Sequence, residues 1–320
     1  MNSTKHWEAL LKIASCLATL AAAASAQTHL EVQALGALLG DSTSAIRLAQ
    51  PLGMSVDLED NIYIADTGNH RVLKCNLQGE LLREVGGFGF GEQQFDRPVE
   101  VWAGNGLDVL VADYNNQRLQ RYDKDLNFIS SYSSNETLGE SLRFGYPAAA
   151  ALSAQGELFV ADHEFNRVLR FDAFGSPKAS FGDFNWGEGR LERPAKIFIS
   201  RRNEVWVSDS LRPAIIVYDT FGNFVRRVSA SELAAPCGMA EWPPGMIVTD
   251  SKQHALIFFN AEGERLGTFG KPGKGLGKFD APTAVMVLRR ANAKSHETSR
   301  VLVLESGNNR VQLLGVKWRL

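Results

Sequence analysis

The chain has 320 residues, 44% of them hydrophobic and 22% charged, which is ample for one sizeable globular core and requires no second domain. The formal net charge is −2, so no overall positive field points to nucleic acid or to an anionic membrane. Only three cysteines are present, and the fold is not expected to depend on cross-links.

The chain opens with a segment that reads as a leader. Lys5 and Lys12 lie in a polar-to-basic lead, and Ile13–Ala24 is an apolar run too short to span a bilayer. Ala24-Ser25-Ala26 forms an A-x-A cleavage site, so residues 1–26 are expected to be a signal peptide and Gln27 the new N-terminus. The mature chain is then periplasmic or secreted, with no transmembrane segment. The secondary expectation is a lipoprotein attached at Cys16, within Ile13-Ala14-Ser15-Cys16, although Lys12 and Glu8 spoil the apolar stretch before it. Thr28–Leu35 alternates Leu30, Val32 and Ala34 with polar neighbours, as a half-buried strand does.

From Gly53 onward the chain repeats itself. Six acidic anchors (Asp66, Asp113, Asp162, Asp209, Asp250 and Glu305) are spaced by 47, 49, 47, 41 and 55 residues. A period in this range marks a repeat architecture. Before each anchor lies a short apolar run (NIYIAD, DVLVAD, ELFVAD, EVWVSD, GMIVTD, RVLVLE), then a polar turn, then a second run such as RVLKCN or RVLRFD. Two β-rich runs joined by such a turn make a hairpin. A third run precedes each hairpin and a fourth follows it, except in the sixth repeat, which stops at RVQLLGVKW. Six repeats of four antiparallel strands predict an all-β, six-bladed β-propeller over residues 27–320. The N-terminal strand is expected to complete the last blade and close the ring, which removes a free sheet edge.

A proline recurs at each entry into the next repeat: Pro51, Pro98, Pro147, Pro194, Pro236 and Pro282. Proline fixes φ and lacks an N–H, so it suits the first position of an entering strand. The loops before it are glycine-rich and aromatic, as in Gly86–Arg97, Gly182–Arg193 and Gly270–Ala281. GGFGFG opens no helix and has no following Lys-Ser/Thr, so it reads as an inter-blade turn rather than a phosphate loop. Arg289–Arg300 reads as a solvated insertion. Cys75 and Cys237 fall in non-adjacent blades and are expected to be buried free thiols.

With P-x-x-V/M at the entry, φ-V-A-D in the strand and N-x-R in the turn, these repeats resemble the NHL repeat family. Gly53–Val56, Ile62–Asp66 and Asn69–Arg71 carry the resemblance most closely, and repeats one, two, three and six are the clearest. The resemblance is specific for fold, since one fold hosts unrelated activities.

An arginine stands five residues after four of the anchors. The pairs Asp66–Arg71, Asp113–Arg118, Asp162–Arg167 and Glu305–Arg310 are expected to hold the hairpin turns, since a catalytic acid is needed once and not in every repeat. Functional candidates are the positions that break the pattern. In propellers of this kind the turn after the anchor and the inter-blade loops share one face. There the chain places Tyr114, His163, Phe165, Trp186, Arg212, Lys252 and His254, beside Glu164, Leu211, Gln253, Phe88, Phe90, Tyr146 and Phe184. Aromatic, basic and imidazole groups around a shallow funnel suit a protein, peptide or glycan partner. The reading is of an exported, monomeric binding module without catalysis, and nucleic acid is not an expected partner.

The alternative comes from enzymes of this fold, which include zinc-dependent lyases cleaving peptidyl-hydroxyglycine and metal-dependent lactonases. The lyase zinc is held by three histidines, two of them directly after an entry proline. Here those positions are Leu52, Val99, Ala148, Ala195, Cys237 and Thr283. His70, His163 and His254 form a zinc set only if three separate repeats bring them together. His29 and His296 have no visible partner. No cofactor is assigned, although zinc or calcium in the central channel is compatible with the sequence. No G-x-S-x-G nucleophile motif is present. The doublets Arg201-Arg202, Arg226-Arg227 and Arg289-Arg290 read as solvated basic spots, with Arg201 and Arg289 on the opposite face.

Overall fold

The computed structural model describes residues 29–40, 44–134, 142–185, 187–228, 231–288 and 298–319. The leader with Cys16, and also Trp186, Arg289, Arg290 and His296, lie outside the described residues. Six four-stranded antiparallel sheets are present. Blade 1 is β2 (Gly53–Val56), β3 (Ile62–Asp66), β4 (Arg71–Cys75) and β5 (Leu81–Gly86). Blade 2 is β6 (Pro98–Trp102), β7 (Asp108–Asp113), β8 (Arg118–Asp123) and β9 (Phe128–Ser133). Blade 3 is β10 (Pro147–Leu152), β11 (Leu158–Asp162), β12 (Arg167–Phe171) and β13 (Pro177–Phe181). Blade 4 is β14 (Pro194–Ile199), β15 (Glu204–Asp209), β16 (Ala214–Asp219) and β17 (Phe224–Val228). Blade 5 is β18 (Pro236–Trp242), β19 (Gly245–Asp250), β20 (Ala255–Asn260) and β21 (Arg265–Phe269).

Blade 6 draws on both ends of the chain. Its inner strands are β22 (Pro282–Val287), β23 (Ser299–Glu305) and β24 (Arg310–Arg319), and its outer strand is β1 (His29–Leu39). The β1–β24 register runs from Leu30 opposite Trp318 to Leu39 opposite Val311, with two bulges. β1 therefore extends past Leu35, where the sequence alternation stops being regular.

The second strand of each blade is apolar on both faces because neighbouring blades cover both. Ile62–Asp66, for example, is buried throughout, whereas the outer Phe128–Ser133 alternates between half-buried and exposed. The core is correspondingly a series of clusters between blades, such as Tyr63, Val85, Phe95, Val101, Val111 and Tyr122 between blades 1 and 2. Burying side chains of this size contributes about 1.5–3 kcal/mol each.

The first strands of successive blades touch one another and form the inner wall. Close approach there needs small residues. A Cβ on Gly53 would stand 2.7 Å from the Glu100 Cα, and one on Gly238 would stand 2.6 Å from the Ala284 Cα. At the entry prolines of blades 2, 3, 4 and 6 the ladder slips by one residue, between Pro98 and Glu100, Pro147 and Ala149, Pro194 and Lys196, and Pro282 and Ala284. A proline without an N–H sits naturally at such a bulge. The two cysteines among the described residues are free; Cys75 is buried, but Cys237 is only half-buried, against expectation. Its position one residue past the entry proline puts it on the inner wall. Among the described residues no helix is long and apolar enough to cross a membrane.

Candidate functional site

The acidic anchors are all fully buried. Each fastens the incoming inter-blade loop to the hairpin turn. Asp113 accepts bonds from the Asp96 N–H at 2.8 Å, the Asn116 amide at 2.8 Å and Arg118 Nε at 2.8 Å. Asp66 does the same with the Ala49 N–H, Asn69 and Arg71, and Glu305 with the Asp280 N–H, Asn308 and Arg310. In blades 4 and 5 the arginine is missing, and Asp209 and Asp250 take several backbone N–H groups instead. Asp162 is the loosest, with Arg167 Nε at 3.5 Å, and burial pushes its carboxyl up to about 6.

The arginines do more than the spacing indicates. Arg118 also donates to the carbonyls of Phe90, Gly91 and Gln94 at 2.7–2.9 Å, and Arg310 to those of Lys274, Gly275 and Lys278. Sequence periodicity finds the acid–arginine pair but not the loop carbonyls, because backbone acceptors leave no residue signature. An aromatic ring lies on two of these guanidinium groups: Phe90 over Arg118 at 4.6 Å and Phe165 over Arg167 at 4.5 Å.

Two sets of residues ring the channel mouth on the loop face. The residue before each entry proline gives Gln50, Arg97, Tyr146, Arg193, Ala235 and Ala281. The residue after each anchor gives Thr67, Tyr114, His163, Ser210, Ser251 and Ser306. In blades 2 to 6 the backbone N–H of the second set donates to the carbonyl of the first, for example Tyr114 to Arg97 at 3.2 Å and Ser210 to Arg193 at 3.1 Å. Beside blades 1, 2 and 6 the mouth holds a cavity of about 490 Å³, lined by Gln50, Leu52, His70, Asp96, Arg97 and Ser306 among others.

Of the residues singled out in the sequence, Tyr114, His163 and Tyr146 come together. The Tyr114 hydroxyl lies 3.2 Å from His163 Nδ1, and His163 Nε2 lies 2.8 Å from the Pro194 carbonyl. These partners assign the tautomer, with Nε2–H donating to Pro194 and Nδ1 accepting from Tyr114. Burial lowers the His163 pKa below its ordinary value, and the positive charges of Arg193 and Arg97 lower it further. Tyr146 packs against Tyr114 with centroids 5.1 Å apart, and the Arg97 guanidinium lies 5.3 Å above the Tyr114 ring.

The other predicted residues do not join this group: Phe165 shares the turn of His163, Arg212 lies in the turn of blade 4, and Lys252 and His254 in that of blade 5. Phe165 and Lys252 are exposed and Arg212 is half-buried. His254 Nδ1 accepts from the Ala281 N–H at 3.2 Å, just as His70 Nδ1 accepts from the Arg97 N–H at 3.2 Å. Three imidazoles from blades 1, 3 and 5 thus stay with local partners. Among the described residues no group of three or more His, Cys, Asp or Glu side chains is placed to hold a metal. The donor set here does not fit the three-histidine lyase site. On the underside the Arg201 side chain is 76% exposed and pairs with Glu241 at 3.3 Å.

Sequence reasoning missed what crosses the axis. Lys196, from the inner strand of blade 4, reaches the opposite side of the channel. Its Nζ donates to the Leu52 carbonyl of blade 1 at 3.0 Å and the Val99 carbonyl of blade 2 at 3.2 Å, and it pairs with the Glu100 carboxylate. Burial pushes the Glu100 carboxyl above the usual range, while Lys196 pulls it back. The signal was available: Glu100 and Lys196 stand two residues past their entry prolines, where the other blades carry Gly53, Ala149, Gly238 and Ala284.

Comparison with known proteins agrees with this architecture. The NHL repeat family model matches residues 48–75. The chain is 30% identical to protein brain tumor of Drosophila melanogaster over 131 residues, which are 40% of this chain and 13% of that protein. It is 29% identical to NHL repeat-containing protein 3 of Mus musculus over 137 residues, 38% of this chain and 39% of that one. The matches therefore span well under half of either relative. Among solved structures, a gluconolactonase from Xanthomonas campestris superposes with a TM-score of 0.60 at 12% identity, covering 90% of each chain. That likeness is one of fold alone. The chain carries an NHL repeat at residues 48–75 and folds as a six-bladed β-propeller.

Proposed function

We propose that the protein is an exported, monomeric binding module whose loop face engages a protein, peptide or glycan partner, without a resident cofactor. The observation that carries this reading is the contrast between the axis and its mouth. The axis is crossed by the Lys196–Glu100 pair, which ties the inner strand of blade 4 to those of blades 1 and 2. The mouth is concave, and elsewhere on the loop face large apolar side chains stand in solvent, with Phe88 71% exposed, Phe184 77% and Leu211 63%, as Phe174 and Phe221 do on the opposite face. Exposed aromatics on the same face as a cavity are characteristic of recognition surfaces.

A random heptapeptide display library selected on the purified protein tests this. Selected peptides are expected to lose at least about tenfold in affinity for a Phe88→Ser/Phe184→Ser variant and to keep it for underside Arg201→Ser. Loss on the underside variant alone would overturn the assignment of the face. Export is supported by the A-x-A site at Ala24–Ala26. Protein recovered from the cell envelope or medium should begin at Gln27; a mature chain that retains Met1 would remove export from the reading.

A further inference from the structure

The two rings at the mouth differ from the rest of the loop face in charge. Neither contains a carboxylate. The inner one carries Arg97 and Arg193, both exposed, and among the described residues neither forms an ion pair. The ring beside it holds the neutral residues Thr67, Tyr114, Ser210, Ser251 and Ser306 with the His163 imidazole, and the hydroxyls of Thr67, Ser210 and Ser251 turn back onto the carbonyls of Pro98, Arg193 and Ala235. Acids stand one residue further out: Asp96 and Asp280 are engaged elsewhere, Glu192 precedes Arg193, and Glu164 is exposed beside His163. Asp96 accepts from Asn115 at 3.1 Å and faces His70 at 3.7 Å, and Asp280 faces His254 at 3.4 Å.

Arg97 and Arg193 belong to one locality. A continuous chain of contacts links them: Arg97 stacks on Tyr114, Tyr114 bonds His163, and His163 bonds the carbonyl of Pro194, the residue next to Arg193. Both guanidinium groups act on the same imidazole, which their charge helps to keep neutral. With its face against Tyr114, Arg97 leaves the N–H edge of its fork for a planar acceptor. Tyr146, stacked on Tyr114, extends an aromatic wall alongside. On its other side Arg97 lines the cavity of about 490 Å³ together with His70, Asp96 and Asn115, a volume of small-ligand size that Arg193, Tyr114 and Tyr146 do not line.

The geometry points to a carboxylate-binding site at the channel mouth, in which Arg97 and Arg193 hold the acidic group of a peptide whose apolar part lies on Tyr114 and Tyr146. This deepens the binding reading above and rests on it. The carboxylate comes either from an Asp or Glu side chain or from a free C-terminus. Two arginines and a wall of tyrosines match a single acidic group with an apolar neighbour. They do not match the extended phosphate track of a nucleic acid, which needs many more cations.

Three sets of N-acetylated tetrapeptides test the site: amidated peptides containing Asp or Glu, neutral peptides with a free C-terminus, and neutral amidated peptides. Binding is read by fluorescence polarisation. At least one carboxylate-bearing set should bind, and the set that binds identifies the source of the group. Arg97→Met/Arg193→Met should weaken that binding by about tenfold or more without changing the thermal melt, and added salt should weaken it in the wild type. Equal binding of neutral amidated peptides, lost in Phe88→Ser/Phe184→Ser, would overturn the carboxylate site and leave the binding module standing. Displacement of the peptides by inorganic phosphate at equal concentration would overturn the preference for a carboxylate. Failure of every set to bind, together with failure of peptide display, would overturn both readings.

Discussion

Removal of residues 29–40 should abolish cooperative folding of the whole ring. β1 pairs along nearly its full length with β24 and is the outer strand of blade 6. Without it β24 presents an unpaired edge, and Leu39, fully buried against Ile46, Met54 and Val311, loses its place. The neighbouring cluster loses Leu30, Val32 and Ala34, which pack with Trp318 and Phe269. Cavities of that size cost about 2–5 kcal/mol per large side chain, so several together exceed the typical net stability of about 5–15 kcal/mol. Circular dichroism melting and gel filtration provide the measurement. The expected result is aggregation or a broad, early transition, and a truncated chain that melts like the full one would contradict the closure described.

Lys196→Met should destabilise the protein by about 3–5 kcal/mol near neutral pH, because it leaves the Glu100 carboxylate desolvated and alone. The carbonyls of Leu52 and Val99 lose their donor as well. The pH dependence has a definite sign. An acid whose folded pKa is raised contributes stability that is complete below the ordinary glutamate value and is lost as pH climbs through the raised one. Without Lys196 the Glu100 pKa rises further, so the deficit should be smallest near pH 4 and should grow toward pH 8. A Glu100→Gln/Lys196→Met double variant should recover most of the loss, since a buried pair replaced as a unit is often close to neutral. Thermal melts across that range decide the matter; a single variant as stable as wild type at pH 8 would show that the pair does not bridge the axis.

The frame was legible because it repeats. The acidic anchors, the entry prolines and the alternating runs each recur six times, and recurrence separates a structural position from chance. The site was less legible for the same reason. Tyr114 and His163 stood out as departures from the pattern, but Arg97 and Arg193 did not, since arginines are common in loops. They gain meaning only once the register aligns the residue before each proline with the residue after each anchor. Lys196 and Glu100 were invisible singly, because only closure of the ring brings blade 4 within reach of blades 1 and 2. Arg212, Lys252 and His254 share the face with the tyrosines, but the turns that carry them belong to blades 4 and 5; Phe165 shares the turn of His163 but is laid over Arg167.

Arg118 and Arg310 hydrogen-bond their loops through main-chain oxygens, and a loop side chain joins in where the Phe90 ring lies over Arg118. Main-chain oxygens are supplied by every amino acid. The hydrogen-bonded fastening is therefore indifferent to spelling: apart from Phe90, new residues can be written into positions 88–93 or 274–278, provided the glycines that shape the curve are kept. A molecule built this way can change its specificity without rebuilding its foundation, and it offers the engineer the same freedom.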